Sequence, residues 1–229
     1  MITAERKLFD QIKESIKEFG SLLVLGCGTC VSVCMAGGEK EVGLLASELR
    51  MKSRLDGKDV RIGEATIQRQ CDREFIVPIL ETARKYDAVL SMACGAGVQL
   101  VAEMLEPMRV IPALNTRFIG ITQEEGIWAE RCRACGNCVL ADYGGICPIT
   151  ICAKSLINGP CGGSKGGKCE ASNEKDCAWV LIYNRLKKQN RLDNISKMFT
   201  PKDYSTQAHP SQMVNEAYLK VGVEEKHGK

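Results

Sequence analysis

Histidine is nearly absent. Only His209 and His227 occur in 229 residues, and both fall in a polar C-terminal stretch. A metal site in the body of the chain must therefore be built mostly from thiolates. Long apolar runs are missing as well: no window approaches the ~18 residues that a membrane span needs. There is no block of like charge. The formal net charge is +3, with basic and acidic residues interleaved, so nothing marks a nucleic-acid or membrane surface. The opening MITAERKLFDQIKESIKEFG is charged and amphipathic and has no apolar signal core, which predicts a cytoplasmic chain.

Cysteine, by contrast, is abundant, with thirteen residues. Disulfides are rare in the cytosol, and an odd count fits poorly with complete pairing. A cysteine-dense cytosolic chain points instead to metal. A hydrophobic content of 45% is enough to bury a sizeable core.

The first half alternates. Residues 3–19 read as an opening helix, with Leu8, Ile12, Ile16 and Phe19 at helical spacing. SLLVLG (21–26), VRIGEATI (60–67), AVLSMA (88–93) and MRVIPAL (108–114) read as strands. Segments 39–55, 73–87 and 97–105 read as helices, with Pro78 in the first turns of the second. This order predicts an α/β domain over 1–125, with a flavodoxin-like or Rossmann-like parallel sheet and helices on both faces. From Cys132 to Cys177 there are eight cysteines, many glycines and little periodicity. Such a segment has little to build an apolar core from, so 126–178 is expected to be a small cysteine-rich domain stapled by metal. Residues 179–229 are expected to form a C-terminal helix and a polar tail, flexible or laid on a partner. An apolar stripe runs over Trp179, Ile182, Leu186, Leu192, Ile195 and Phe199. Packing is the usual fate of such a stripe, and an interface is the alternative.

A first group of cysteines gathers at strand ends: Cys27, Cys71 and Cys94, with Cys30 and Cys34 following in CGTCVSVC. In an open parallel sheet, ligands bind outside the carboxyl ends of the strands, near a topological switch point. A lone strand-end cysteine is ordinarily just a buried residue. Three strand ends together with C-x2-C-x3-C are what a metal site requires. Five thiols then compete for four places, and at least one is a non-ligand. The nearby glycines do not make a dinucleotide site, because GCGTCVSVC lacks the third glycine of G-x-G-x-x-G and no acidic ribose ligand follows the second strand.

The second group opens with Cys132, Cys135 and Cys138 in C-x2-C-x2-C, the spacing with which ferredoxins supply three thiolates to a cubane. Eight residues separate Cys138 from Cys147, where the ferredoxin run has three, although the C-P ending is kept by Pro148. Cys152, Cys161, Cys169 and Cys177 follow, so eight cysteines match two four-ligand sites. Iron–sulfur suits the trio better than zinc, whose ribbons use paired knuckles. For Cys152 to Cys177 the spacing does not discriminate.

The stretches CGTCVSVCMAGGEKEV (27–42), MACGAGVQ (92–99), the trio with GGICP, and LINGPCGG…GKCE…DCAW…IYNRL resemble the methylenetetrahydrofolate reductase C-terminal family. In acetogens that family forms the small subunit of a two-subunit reductase of the Wood–Ljungdahl one-carbon pathway. The resemblance spans about residues 21–186. It implies two or three iron–sulfur clusters of the [4Fe-4S] type, with zinc at one site as an alternative. It implies a flavin (FMN) on a partner reductase subunit rather than here. It implies ferredoxin or a larger electron-transfer assembly as the donor. The role implied is electron delivery to that flavin, with no catalytic residue on this chain. The competing reading is a structural zinc module that stabilises the partner without redox activity. A third is a stand-alone enzyme using an open iron as a Lewis acid, but no general acid or base accompanies the first group.

Overall fold

Leu22 to Leu25 sit in a run that is buried at every position, as a strand covered on both faces must be. The computed structural model describes residues 1–207 and 209–218, and His227 and the end of the tail lie outside them. The chain divides into two compact units, Met1–Arg133 and Ala134–Lys229.

In the first unit β1 (Ile2–Arg6) and α1 (Phe9–Ile16) precede β2 (Ser21–Cys27). A short α2 (Cys30–Val33) and a long α3 (Glu39–Leu55) lead to β3 (Arg61–Ile67). Then come α4 (Arg73–Ile76), a 3-10 turn at Val77–Ile79, and α5 (Leu80–Ala83). The break falls at Pro78, which has no N–H for a helix ladder. β4 (Ala88–Met92), α6 (Gly95–Leu105), β5 (Arg109–Pro112), β6 (Leu114–Glu124) and β7 (Ile127–Cys132) complete the unit.

Four strands form a parallel sheet in the order β3-β2-β4-β5. The side-chain period of two sends alternate residues of β2 to opposite faces. Leu22 and Val24 pack with Ile12, Val42, Leu45 and Leu49 from α1 and α3. Leu23 and Leu25 pack with Ile76, Ala83, Val101 and Leu105 from α4, α5 and α6. Each such fully buried aliphatic side chain contributes about 1.5–3 kcal/mol. Helices therefore cover both faces, as the alternating pattern predicts. The connections from β2 lead to β3 on one side and those from β3 return to β4 on the other, so the switch point lies between β2 and β4.

Two elements differ from the sequence expectation. The opening segment is not one helix over 3–19, because β1 takes residues 2–6 and pairs antiparallel with β6. Thr3 and Ala4 are buried, and Ala4 joins the core. The antiparallel sheet β1-β6-β7, with its turn at Gly126, had no counterpart in the reading of the sequence.

The second unit contains α7 (Pro148–Ile151), the small hairpin β8 (Lys168–Cys169) and β9 (Ser172–Asp176), and α8 (Ala178–Lys188). It has an apolar core, whose large side chains come mostly from residues 179–199. Tyr143, Cys152, Cys177, Ala178, Trp179, Ile182 and Leu186 are buried together, with Leu192, Ile195 and Phe199 packed against them. The stripe over 178–199 is thus a packing face. The missing signal is Tyr143, a single aromatic from a glycine-rich loop that supplies the centre of the core.

Candidate functional site

The carboxyl ends of β2 and β4 flank the switch point, and each carries a cysteine. Cys27 is the last residue of β2, and Cys94 is the N-cap of α6, two residues past β4. Cys30 opens α2 just beyond Cys27.

The loop after β3 brings in Cys71. Gly28 N donates to Ile67 O over 2.9 Å, and the Cys27 thiol lies 3.9 Å from Gln68 O. Gln70 is fully buried, and its Nε2 donates to Leu25 O over 2.8 Å. The Ser91 hydroxyl donates to Gln70 Oε1 over 2.6 Å. One amide therefore ties the loop to both β2 and β4, carrying the chain from β3 across the switch point. Gly97 makes room for it, because a Cβ there would stand 2.8 Å from the Cβ of Gln70. Asp72 then caps α4 by accepting from Glu74 N.

Cys71 is exposed while Cys30 and Cys94 are partly so and Cys27 is buried. The Cys71 thiol is pushed above the ordinary cysteine range, first by burial of its sulfur and then by the neighbouring thiols of Cys94, Cys27 and Cys30. Cys71 thus lies within electrostatic reach of the other three thiols. The four do not stand in ligating geometry: among the described residues, no three of His, Cys, Asp and Glu are arranged so as to hold a metal ion.

Cys34 is different. It is buried, its thiol accepts from Ala4 N at 3.5 Å, and Ala4 O and Val31 O lie at the same distance as acceptors. Burial is the main cause that raises its pKa. Its sulfur is engaged with β1 and α2. Of the five first-group thiols, Cys34 is the one whose sulfur is engaged by backbone groups of both β1 and α2.

In the second unit Cys152 and Cys177 are buried in the apolar core at the end of α7 and the start of α8. Cys147 caps α7 and its thiol donates to Thr150 Oγ1 at 3.5 Å. Cys177 N donates to Gly167 O over 2.8 Å, tying α8 to the hairpin loop. Cys169 lies on β8, and Cys161 is exposed between Gly159 and Gly162, both at positive φ. The Tyr143 hydroxyl donates to Ile157 O and Trp179 Nε1 to Leu156 O, which anchors the chain leading into NGPCGG. Apart from Cys152 with Cys177, the structure does not bring these later cysteines into one group. Cys132 closes β7, while Cys135 and Cys138 begin the second unit. Around Cys135 both Ala134 and Gly136 have left-handed backbone, at φ 50° and 76°. Turns that mix left-handed and ordinary backbone in this way gather N–H groups on one side, as anion-binding loops do.

Sequence reasoning missed Gln70 and Ser91. Nothing in QRQC distinguishes a glutamine that will be buried from one left in water; only the crossing of the loop over the switch point does. His209 is exposed, as expected of a solvated tail.

The fold and donor set define an α/β protein with cysteines at the strand ends that flank its switch point, followed by a cysteine-rich unit. Residues 111–205 match the family described as Methylene-tetrahydrofolate reductase C terminal. No curated protein and no solved structure matches the chain. No helix among the described residues is long and apolar enough to cross a membrane.

Proposed function

We propose that this chain is a thiolate-metal electron-transfer subunit that serves a flavin-bearing methylenetetrahydrofolate reductase. The observation that carries the proposal is the family match, which encloses all eight cysteines from Cys132 to Cys177. The donor chemistry agrees with it. Thiolate sulfur is the ligand type of iron–sulfur clusters, and such clusters exchange single electrons over a wide range of potentials without needing a substrate pocket. In this reading Cys132, Cys135 and Cys138 hold one cluster, with its fourth thiolate drawn from Cys147, Cys152, Cys161, Cys169 and Cys177. The remaining later cysteines supply a further cluster or zinc. The polypeptide's part is to fix the sulfurs, to supply N–H groups around them at Ala134 to Gly136, and to keep water from Cys152 and Cys177. Folate and flavin chemistry belong to the partner subunit, with ferredoxin or a larger assembly as donor, in the cytoplasm.

The test is anaerobic purification followed by metal analysis and EPR. The expected protein is brown, with roughly eight or more irons per chain for two or more cubanes and an absorbance that dithionite bleaches. Dithionite-reduced protein should then reduce the flavin of the partner subunit. Colourless protein with stoichiometric zinc alone would overturn this reading. It would favour a structural zinc module, a reading supported by the placing of Cys152 and Cys177 inside a packed core.

A further inference from the structure

We propose that Cys27, Cys30, Cys71 and Cys94 form a separate four-thiolate metal site at the switch point of the first unit, with Gln70 as its positioning residue and Cys34 excluded. None of these residues lies in the segment 111–205 that the family match covers. The inference shares one premise with the proposed function, that the chain binds metal through thiolates, but it does not depend on electron transfer.

Three independent loops deliver the sulfurs. Cys27 and Cys30 come from the β2–α2 turn, Cys94 from the start of α6, and Cys71 from the loop after β3. The register of the sheet sets Gly26 opposite both Thr66 and Met92, so these three chain segments leave the sheet at one level. Gln70 then bends the third loop over the other two by its bonds to β2 and β4. A buried side chain whose oxygen and nitrogen both find partners holds a single position, because either bond lost leaves a buried polar group unsatisfied. Cys71 is the next residue in the chain, so its backbone is fixed where Gln70 fixes it. The thiols themselves still rotate about χ1, which moves sulfur without moving the loops. Tetrahedral coordination by four thiolates is the closed arrangement of a structural zinc site and also of a cubane. Cys34 has no share in it, since its sulfur already meets the backbone of Ala4 and Val31.

The experiment uses the full chain, prepared anaerobically, with the metal removed and then restored by Co²⁺ titration. Thiolate-to-cobalt charge-transfer absorption counts the sulfurs at each site. Cys27→Ser, Cys30→Ser, Cys71→Ser and Cys94→Ser should each remove one and the same equivalent of metal, while Cys34→Ser retains it. Gln70→Ala should weaken that equivalent by roughly 10–100-fold with all thiols still present, as loss of a supporting contact does. Gln70→Glu, which keeps the length and one acceptor oxygen, should recover part of the loss. Should a serine variant misfold, alkylation mapped by mass spectrometry on the wild-type chain answers in its place. Metal should protect Cys27, Cys30, Cys71 and Cys94 together, whereas Cys34 should resist with or without metal. Loss of the same equivalent in Cys34→Ser, or metal-independent alkylation of Cys71, would overturn the proposal. A colourless, zinc-filled site that loses its metal in these four variants would uphold it while sinking the electron-transfer reading.

Discussion

The rings of Tyr143 and Trp179 meet edge to face, with centroids 5.6 Å apart and planes at 85°. Phe199 also lies against Tyr143, with ring centroids 5.3 Å apart. Such pairs add about 0.5–1.5 kcal/mol beyond the area they bury. Trp179→Ala should therefore cost about 3–5 kcal/mol, the usual range for emptying a buried aromatic site. Because aromatic and aliphatic side chains fill most of this core, it should survive chelation. In a Trp128→Phe background the fluorescence of Trp179 should stay buried-like after metal removal under reducing conditions. A solvent-like emission maximum in the metal-free chain would show that metal alone holds the second unit together.

Tyr143 also sets a pH dependence. Burial, and secondarily the Asp142 carboxylate, push its phenol up from 10.0 to about 12. The folded chain therefore holds this proton more tightly than the unfolded chain. Stability from this group is fully present below pH 10 and is lost as pH rises from 10 to about 12. Tyr143→Phe should flatten that part of the stability profile. It should also lose about 1 kcal/mol at neutral pH, since Ile157 O keeps no donor from the ring. Denaturant unfolding at pH 8 and pH 11 checks both effects. An unchanged slope in Tyr143→Phe would assign the alkaline loss to other groups.

Gly37 sits where α2 turns back over the sheet. A Cβ there would lie 1.9 Å from the Met92 carbonyl oxygen, a backbone atom that cannot swing away. The same turn makes a hydrogen bond from Cys27 N to Gly37 O over 2.9 Å. Gly37→Ala should thus push α2 off β4 and cost more than about 3 kcal/mol, the scale of severe core overpacking. The displacement also carries Cys27 and Cys30, so metal at the switch point should weaken with it. Gly57→Ala is the control: it has open space around it but φ 67°, and should cost only about 1 kcal/mol. Equal stability losses at the two positions would mean that the close approach to Met92 does not matter.

How far these features were legible varies with how local their causes are. The four parallel strands and helices α3 and α6 follow from hydrophobic runs within single segments, and the strand-end cysteines followed from them. Even α1 was visible through Ile12 and Ile16, although its start was placed too early. β1 was not, because residues 2–6 become a strand only through pairing with residues 114–119, and no local pattern reports a partner so distant. The same holds for Gln70, whose role depends on two strands other than the one it follows. Tyr143 was passed over because glycine and cysteine around it mask any apolar period. In the first cysteine group the sequence left five thiols for four places, and the burial of Cys34 against Ala4 is what the proposal of its exclusion rests on.

Ala134 and Gly136 make opposite predictions within one loop. Ala134 holds φ 50°, a conformation that costs an L-residue about 1–2 kcal/mol. Gly136 holds φ 76°, and a Cβ there would stand 2.3 Å from Thr206 Oγ1. Ala134→Gly should leave stability unchanged or raise it by up to about 1 kcal/mol, because relief of the strain outweighs the added freedom of the unfolded chain. Gly136→Ala should cost at least about 1 kcal/mol and disturb the contact of Thr206 with Cys135 O. If the left-handed turn serves to aim N–H groups at a bound cluster, Ala134→Gly keeps the iron content while Gly136→Ala lowers it. Thermal unfolding together with iron analysis on the anaerobic protein separates the two. An Ala134→Gly chain that is both less stable and depleted of iron would show that the alanine side chain, not the backbone turn, is what this loop requires.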